Sequence, residues 1–466
     1  MSDFEKEQFP FPTSIPAEDG IIQGPEQRRV EGVLLDLADS LSSRLGISRR
    51  RFLSTASGMA AAFLAMNAVH GSLFSVDPAE AADPKAAAER LRTLHNQFIF
   101  DVQTHFVSDR YTGTGLLGLR ELAKEWNPEI KGRQTLESIR YENYVREVFR
   151  KSDTSVALLS SAPADNPASW FLHNPEIMAA REKINAAAGS RRLLAHAIFT
   201  PGQPGWLEKL DEAAAMKPDS WKGYTLGSPS GSKWPWRLDD EDLVYPAYDK
   251  MLKAQIPIVC IHKGLLPSRL RKTGTQWQYA GPGDIGGAAK AWPQLTFVIY
   301  HSAIRSGSPP TRKEAARFEK TGYIPWVSEL AKIPGKWGVT NLYAELGSVF
   351  AVTAISNPRY CAGILGTLIK GFGHERVLWG TDSVWYGSPQ WQIEALRRLE
   401  IPEDLRRRFG FRELGPADGP VKRAILGGNA ARLYGIKAET ASYGHDRIAA
   451  WKHREEGAAE ARMAGY

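Results

Sequence analysis

Eight runs of apolar, β-branched and aromatic residues alternate along this chain with stretches of helical period. The runs fall at 98–105, 155–161, 193–200, 221–226, 257–262, 295–301, 342–346 and 377–382. The helical stretches between and after them include 175–188, 206–215, 243–254, 284–292, 324–331, 358–372 and 390–399, and 84–97 reads as an entry helix. Strands joined through helices run parallel, because each crossover is right-handed. Eight such units favour a sheet closed on itself over an open one. The near-continuous apolar character of 256–261 and 296–299 fits strands covered on both faces. No Gly-x-Gly-x-x-Gly follows the first run, which counts against a dinucleotide-binding sheet. The expected fold is α/β, a (β/α)8 TIM barrel with an N-terminal leader segment and a C-terminal helical tail.

Three spans follow: 1–81 as leader, 82–441 as barrel, 442–466 as a charged helical tail that would embrace a neighbour. Within the leader, Ser48-Arg49-Arg50-Arg51-Phe52-Leu53 resembles a twin-arginine export signal. The apolar stretch after it, 56–69, is short for a bilayer span. Ala79-Glu80-Ala81 offers a small-residue cleavage pattern. The stretch ahead of the arginines is long and Pro-rich at its start, with an amphipathic helix expected over 28–45 and disorder elsewhere. These features predict an exported, periplasmic protein whose partners include the twin-arginine export machinery. The whole chain carries a net charge of +7. Removing 1–81 raises this to about +11, which suggests an anionic substrate or surface. No compact basic helix with interleaved aromatic residues is present, so no nucleic acid is expected as a partner. The two cysteines make neither a disulfide framework nor a thiolate metal site. Cys260 sits inside an apolar run and reads as a small buried hydrophobe.

Four motifs place polar side chains at the ends of these runs: Asp101-Val102-Gln103-Thr104-His105, Ile261-His262-Lys263-Gly264, Tyr300-His301-Ser302 and Trp379-Gly380-Thr381-Asp382-Ser383. A parallel barrel gathers the C-terminal ends of its strands on one face. Gln103 and His105, two apart on a strand, share a face. His105, His262 and Asp382 would give a three-ligand site with open positions, as a catalytic ion needs, and Gln103 would add an amide oxygen. Zinc suits the imidazoles, whereas manganese or magnesium tolerates oxygen donors better. His301 is expected as an acid or base beside the ion, and Asp382 as a ligand that also accepts a proton. Glu345 ends the seventh run and would orient a histidine or line the substrate pocket. Three long loops, 227–240, 263–283 and 304–323, would project over this face as lids or pocket walls. They bring Lys263 and Arg305 as substrate contacts, and an aromatic loop after the second run brings His173. These loops and the tail also leave room for a homo-oligomer, which is expected.

At these residues the chain resembles the amidohydrolase superfamily, in the branch that includes aminocarboxymuconate-semialdehyde decarboxylase, aromatic-acid decarboxylases and related hydrolases, lactonases and hydratases. The resemblance spans roughly residues 98–436. It includes Ile425-Leu426-Gly427-Gly428-Asn429-Ala430-Ala431-Arg432-Leu433-Tyr434, which looks like the group's final helix. It implies that Gln103 and His105 are first-strand ligands, His262 the fifth-strand ligand, His301 the histidine near the substrate and Asp382 the last-strand ligand. The usual first-strand pattern has histidine where Gln103 stands, or glutamate in some decarboxylases. Many decarboxylases also carry Gly-Glu after the sixth-strand histidine, where this chain has Ser302-Ala303. Binuclear members use a fourth-strand lysine, but Lys222 lies early in its strand, so one metal ion is expected, zinc first.

The expected function is metal-dependent hydrolysis of an ester, lactone or amide bond in a small anionic molecule through an activated water. One alternative is non-oxidative decarboxylation or hydration of an aromatic or unsaturated acid. Another is a binding protein with a degenerate site, marked by Gln103. A cationic clamp near the ion favours the lyase, and a neutral, aromatic pocket favours the hydrolase.

Overall fold

The computed structural model describes residues 10, 15–17, 20–114, 116–117, 120, 133–226, 232–266, 276–306, 309–439, 443–444 and 446–454. Eight parallel strands form one sheet in sequence order. They are β1 (Phe100–Thr104), β2 (Val156–Leu159), β3 (Leu193–Ile198), β4 (Ser220–Tyr224), β5 (Ile258–His262), β6 (Thr296–Tyr300), β7 (Leu342–Glu345) and β8 (Val377–Leu378). Seven of the eight expected runs contain one of them, and the fourth, 221–226, overlaps a strand that starts one residue earlier, at Ser220. The last is shortened to two residues, because Gly380 to Ser383 leave the ladder and turn into the site.

Closure between β1 and β8 relies on loop backbone rather than a long ladder. Val102 N–H donates to Trp379 O at 3.0 Å, Asp382 N–H to Gln103 O at 2.9 Å, and His105 N–H to Ser383 O at 2.6 Å. The fully buried Asp101 carboxylate reinforces this seam. It accepts the backbone N–H of Gln103 at 3.1 Å and of Thr381 at 3.0 Å, and also the Thr381 hydroxyl. The barrel is therefore a (β/α)8 TIM barrel that is nearly closed.

Helices precede the barrel and surround its sheet. Ahead of the barrel come α1 (Pro25–Arg44), α2 (Arg49–Leu53), α3 (Ala56–His70), α4 (Pro78–Ala82) and α5 (Pro84–Leu94). On the barrel are α6 (Asn174–Ala188), α7 (Val349–Ser356), α8 (Pro358–Phe372) and α9 (Gln390–Arg398). Ser48 and Thr55 cap α2 and α3 with their hydroxyls, accepting from Arg51 N–H and Gly58 N–H. The side chains of α3 join the same apolar cluster as Ile261, Phe297 and Leu346 of the barrel. Among the described residues no helix is long and apolar enough to cross a membrane.

The described part of the tail, 446–454, is helical and packs on this chain's own barrel. Asp446 pairs with the buried Arg192 at 2.5 Å, Ile448 is buried against the cluster around β2 and β3, and Lys452 reaches Asp153 at 2.9 Å. Residues 442, 445 and 455–466 of the tail, with Arg269, Arg271 and Lys272 of the 263–283 loop, lie outside the described residues. Both cysteines are free and buried.

Candidate active site

β1 ends with Gln103 pointing into the barrel mouth and His105 just beyond it. His105 Nδ1 lies 3.0 Å from the Ser160 carbonyl. A carbonyl accepts only, so Nδ1 carries a proton, and the matching neutral tautomer has its lone pair on Nε2. That nitrogen faces Asp382 Oδ1 at 3.0 Å. His301 repeats the device: Nδ1 donates to Gly347 O at 2.8 Å, leaving Nε2 as an acceptor. His301 Nε2 lies 3.0 Å from His262 Nδ1 and 3.4 Å from Gln103 Nε2. Gln103 Nε2 also donates to Asp382 Oδ1 at 3.1 Å. The expected residues Gln103, His105, His262, His301 and Asp382 thus form one contiguous cluster.

The cluster is arranged as two pairs, His105 with Asp382 and His262 with His301, bridged by the Gln103 amide. Among the described residues no three His, Cys, Asp or Glu side chains converge as a ready metal cluster. The trio of His105, His262 and Asp382 is not drawn together, because His262 turns to His301. The donor chemistry nevertheless fits a cation. Two imidazole lone pairs and a carboxylate face one small volume, and the buried Gln103 Oε1 has no hydrogen-bond partner. His105 Nε2 facing the Asp382 carboxylate at 3.0 Å calls for a shared proton or a cation between them.

Asp382 is the more open member of its pair, its side chain 13% exposed against 2% for His105. Burial pushes its carboxyl up, but the contact with His105, the neighbouring His301 and the Ser348 hydroxyl together hold it below the usual aspartate value. Ser348 Oγ donates to Asp382 Oδ2 at 2.5 Å. Burial lowers His301 to about 4 and drives His262 well below the ordinary histidine value. Both rings are neutral at physiological pH.

Backbone strain concentrates here. Asp382 (φ 62°), Ser348 (φ 56°) and the consecutive His301, Ser302 and Ala303 (φ 59°, 45° and 51°) all occupy the left-handed region. Such non-glycine conformations cost of order 1–3 kcal/mol each and cluster at functional sites. Gly380 has a spatial reason: a Cβ there would collide with the Glu345 carboxylate.

The four expected substrate contacts are placed differently from one another. Lys263 is fully buried and bonds Asp284 Oδ2 at 2.8 Å and Tyr279 O at 2.7 Å, so its ammonium is structural and closed to a substrate. Glu345 is also fully buried. It accepts His301 N–H at 2.9 Å and Gly347 N–H at 2.5 Å, so it positions backbone and touches no substrate. Arg305 pairs with Glu314 at 2.5 Å. His173 stacks on Trp170 at 5.2 Å and lines a separate cavity of about 170 Å³ with Phe199, Gln203 and Trp206.

Sequence reasoning missed the walls. Trp385 stacks on His105 at 5.6 Å, and Phe171 meets His105 edge-on at 6.1 Å. Tyr224 stacks on His262 at 4.6 Å. The proximity of Trp385 to Asp382 in the sequence was the only available signal. Below the cluster, Lys222 Nζ sits 3.1 Å from the Tyr300 ring centroid, with no hydrogen-bond partner. Burial lowers it to about 7.

Burial likewise raises Asp101 to about 7 and Glu345 to about 8. Their unfolded values lie near 4. A carboxyl whose folded value is raised contributes stability below its unfolded value and loses it as pH rises through the folded one. The urea midpoint is therefore expected to fall between about pH 5 and pH 8. A flat or rising midpoint over that window would show that both carboxylates are already ionised in the folded state.

A search of curated protein sequences gives no match. Similar solved structures include an uncharacterised TIM-barrel protein from Bordetella bronchiseptica (14% identity, covering 74% of this chain and 99% of that one, TM-score 0.45). Others are 5-carboxyvanillate decarboxylase from Sphingomonas paucimobilis (15%, 73% and 100%, TM-score 0.43) and a probable 2-pyrone-4,6-dicarboxylic acid hydrolase from Acinetobacter baumannii (12%, 72% and 99%, TM-score 0.40). Likenesses this distant say nothing of this chain's reaction. The amidohydrolase family model matches residues 186–436, from the last turn of α6 through the closing helix. With more than half of its length matched in this way, the chain belongs to the amidohydrolase family, whose members bind a divalent metal ion.

Proposed function

We propose that this protein hydrolyses an ester, lactone or amide bond of a small molecule. The observation that carries the reading is the neutral, aromatic surround of the cluster. Trp385, Phe171 and Tyr224 flank its imidazoles, while Lys263 and Arg305 are engaged in ion pairs. A site built to grip a carboxylate would leave such cations open to it.

His105, Asp382, Gln103 and His262 are the side chains that would hold a divalent ion, zinc in first place. Such an ion would polarise the scissile carbonyl and make a nearby water more acidic. Asp382, ionised and fixed by Ser348 and His105, takes the proton of the attacking water and returns it to the leaving oxygen or nitrogen. His301, neutral with its Nε2 lone pair turned inward, is the second proton acceptor. The aromatic walls exclude bulk water and so strengthen these contacts. Export to the periplasm through the twin-arginine route is part of the same proposal and rests on the arginine motif alone.

The test is elemental analysis of the purified full chain beside a screen of esters, lactones, amides and aromatic acids. About one equivalent of metal with turnover of an ester, lactone or amide supports the reading. Release of carbon dioxide from an aromatic acid, with the other classes inert, replaces it with the lyase. Gln103→His would exchange a weak amide donor for an imidazole, and metal affinity is expected to rise by about tenfold or more. Unchanged affinity in a metal titration would place position 103 outside the ion's reach.

A further inference from the structure

The segment read above as a leader is built into the barrel. Leu34, Ala38, Phe52, Ala60, Ala61 and Ala62 are each 0% exposed. After α3 the chain runs out beside α9. Phe74 forms an antiparallel bridge with Leu399, Ser75 N–H donates to Arg398 O at 2.7 Å, and Glu400 N–H donates to Leu73 O at 2.8 Å. Glu80 of α4 and Arg90 of α5 then join Glu394 and Arg398 of α9 in a largely buried ion cluster. Glu80–Arg398 is 2.5 Å, Arg90–Glu80 3.3 Å and Arg90–Glu394 3.5 Å.

A second contact leads to the active site. Gln27 on α1 is 6% exposed, and its Nε2 donates to Ile355 O at 3.4 Å and Ser356 O at 3.3 Å, the last carbonyls of α7. These are the acceptors a helix terminus leaves unpaired. At the other end of α7 stands Ser348, whose hydroxyl holds Asp382. Eight helical residues span about 12 Å, so one short buried rod links the N-terminal segment to that carboxylate.

We infer that Pro25–Ala82 stays with the working enzyme as an intrachain clasp that fixes α7 and, through Ser348, the Asp382 carboxylate. Cleavage after Ala81 would take Gln27 from the C-terminal carbonyls of α7, a helix in which seven of the eight residues are buried, and would remove Glu80 from Arg398. Phe52 and Leu53, the last residues of the arginine motif, are buried in the docked state, so an export receptor would have to read the motif before docking. The link to Asp382 rests on its proposed catalytic role, whereas retention of the segment does not.

The experiment inserts a site-specific protease sequence between Gly71 and Ser72, both exposed, and cuts the folded full chain. Size-exclusion chromatography and hydrogen exchange at 349–356 are then read together. The expected result is that fragment 1–71 co-elutes with the barrel and α7 keeps its protection. In the cut Phe63→Asp variant the fragment should separate, and exchange in α7 should quicken by at least about tenfold. Release of the fragment from the otherwise unaltered chain, with α7 exchange unchanged, overturns the inference. The uncut Gln27→Ala chain gives a second measurement. Faster exchange confined to α7, with kcat lowered and KM unchanged on any substrate found, supports the coupling, and exchange identical to the parent chain refutes it. Failure of the hydrolase reading leaves the chromatographic and exchange results untouched.

Discussion

Asp382→Asn is expected to lower kcat/KM by about 10²–10⁴-fold while leaving the barrel folded. The substitution removes the negative charge and the proton acceptor but nearly preserves shape. Asparagine tolerates the left-handed backbone that position 382 adopts, and the backbone bond from its N–H to Gln103 O needs no side chain. An N–H2 at the Oδ1 position would face the donating Gln103 amide, and at the Oδ2 position the donating Ser348 hydroxyl, so one of the present contacts becomes a donor facing a donor. Circular dichroism and the unfolding midpoint should stay close to the parent chain as turnover and bound metal are lost. Parent-level turnover in this variant would remove Asp382 from the reaction.

Arg397→Met should be the most damaging single change to stability, at about 3–5 kcal/mol. The Arg397 side chain is 1% exposed and bonds Asp153 at 2.7 Å, Glu394 at 2.7 Å and Gln97 at 2.8 Å. Methionine fills part of the volume but takes a buried cation from two carboxylates, leaving Asp153 with Lys452 and Glu394 with the longer contacts to Arg90 and Arg398. Removing one partner from a buried charge cluster costs more than the pair is worth, because the other charge remains desolvated. The pH dependence carries the same signature. Burial raises Asp153, but Arg397 and Lys452 outweigh it and hold its carboxyl well below the usual range. Its contribution is present above the unfolded value near 4 and is lost as pH falls below that. The variant should therefore lose stability at neutral pH and show a shallower decline into acid. Urea titrations at pH 7 and pH 4 test both parts, and a neutral-pH change under about 1 kcal/mol would mean that the cluster relaxes around the gap.

The barrel was legible because its signal is repeated. Each run of β-branched and aromatic residues is short, bounded and followed by a helical period, so eight independent local readings agree. The ends of the strands were legible for a related reason: in a parallel barrel, position along a strand fixes height, and His105, His262, His301 and Asp382 all sit at the same level. What remained hidden depends on partners distant in sequence. Lys263 directly follows His262, yet it turns away to Asp284, 21 residues on. Glu345 looked available to substrate until two backbone N–H groups claimed it. The apolar stretch after Arg51 has the composition of a signal, and composition alone does not distinguish a segment that is passed through a translocase from one that fills a groove on its own barrel. His196 lies in the interior, bonded to Tyr300 at 2.8 Å and Ser220 at 2.9 Å.

The short final strand has a kinetic corollary. The bonds that join β8 to β1 include Asp382 N–H to Gln103 O and His105 N–H to Ser383 O, which are the backbones of the site itself. A chain that has formed seven strands and all its helices, but not this seam, already has nearly the whole far-ultraviolet signal of the native protein and no reactive centre. Such contacts between the two ends of a barrel span almost the entire sequence and form late. In refolding from urea, recovery of catalysis should therefore trail recovery of ellipticity, and that interval is a direct clock for the last stitch of the barrel.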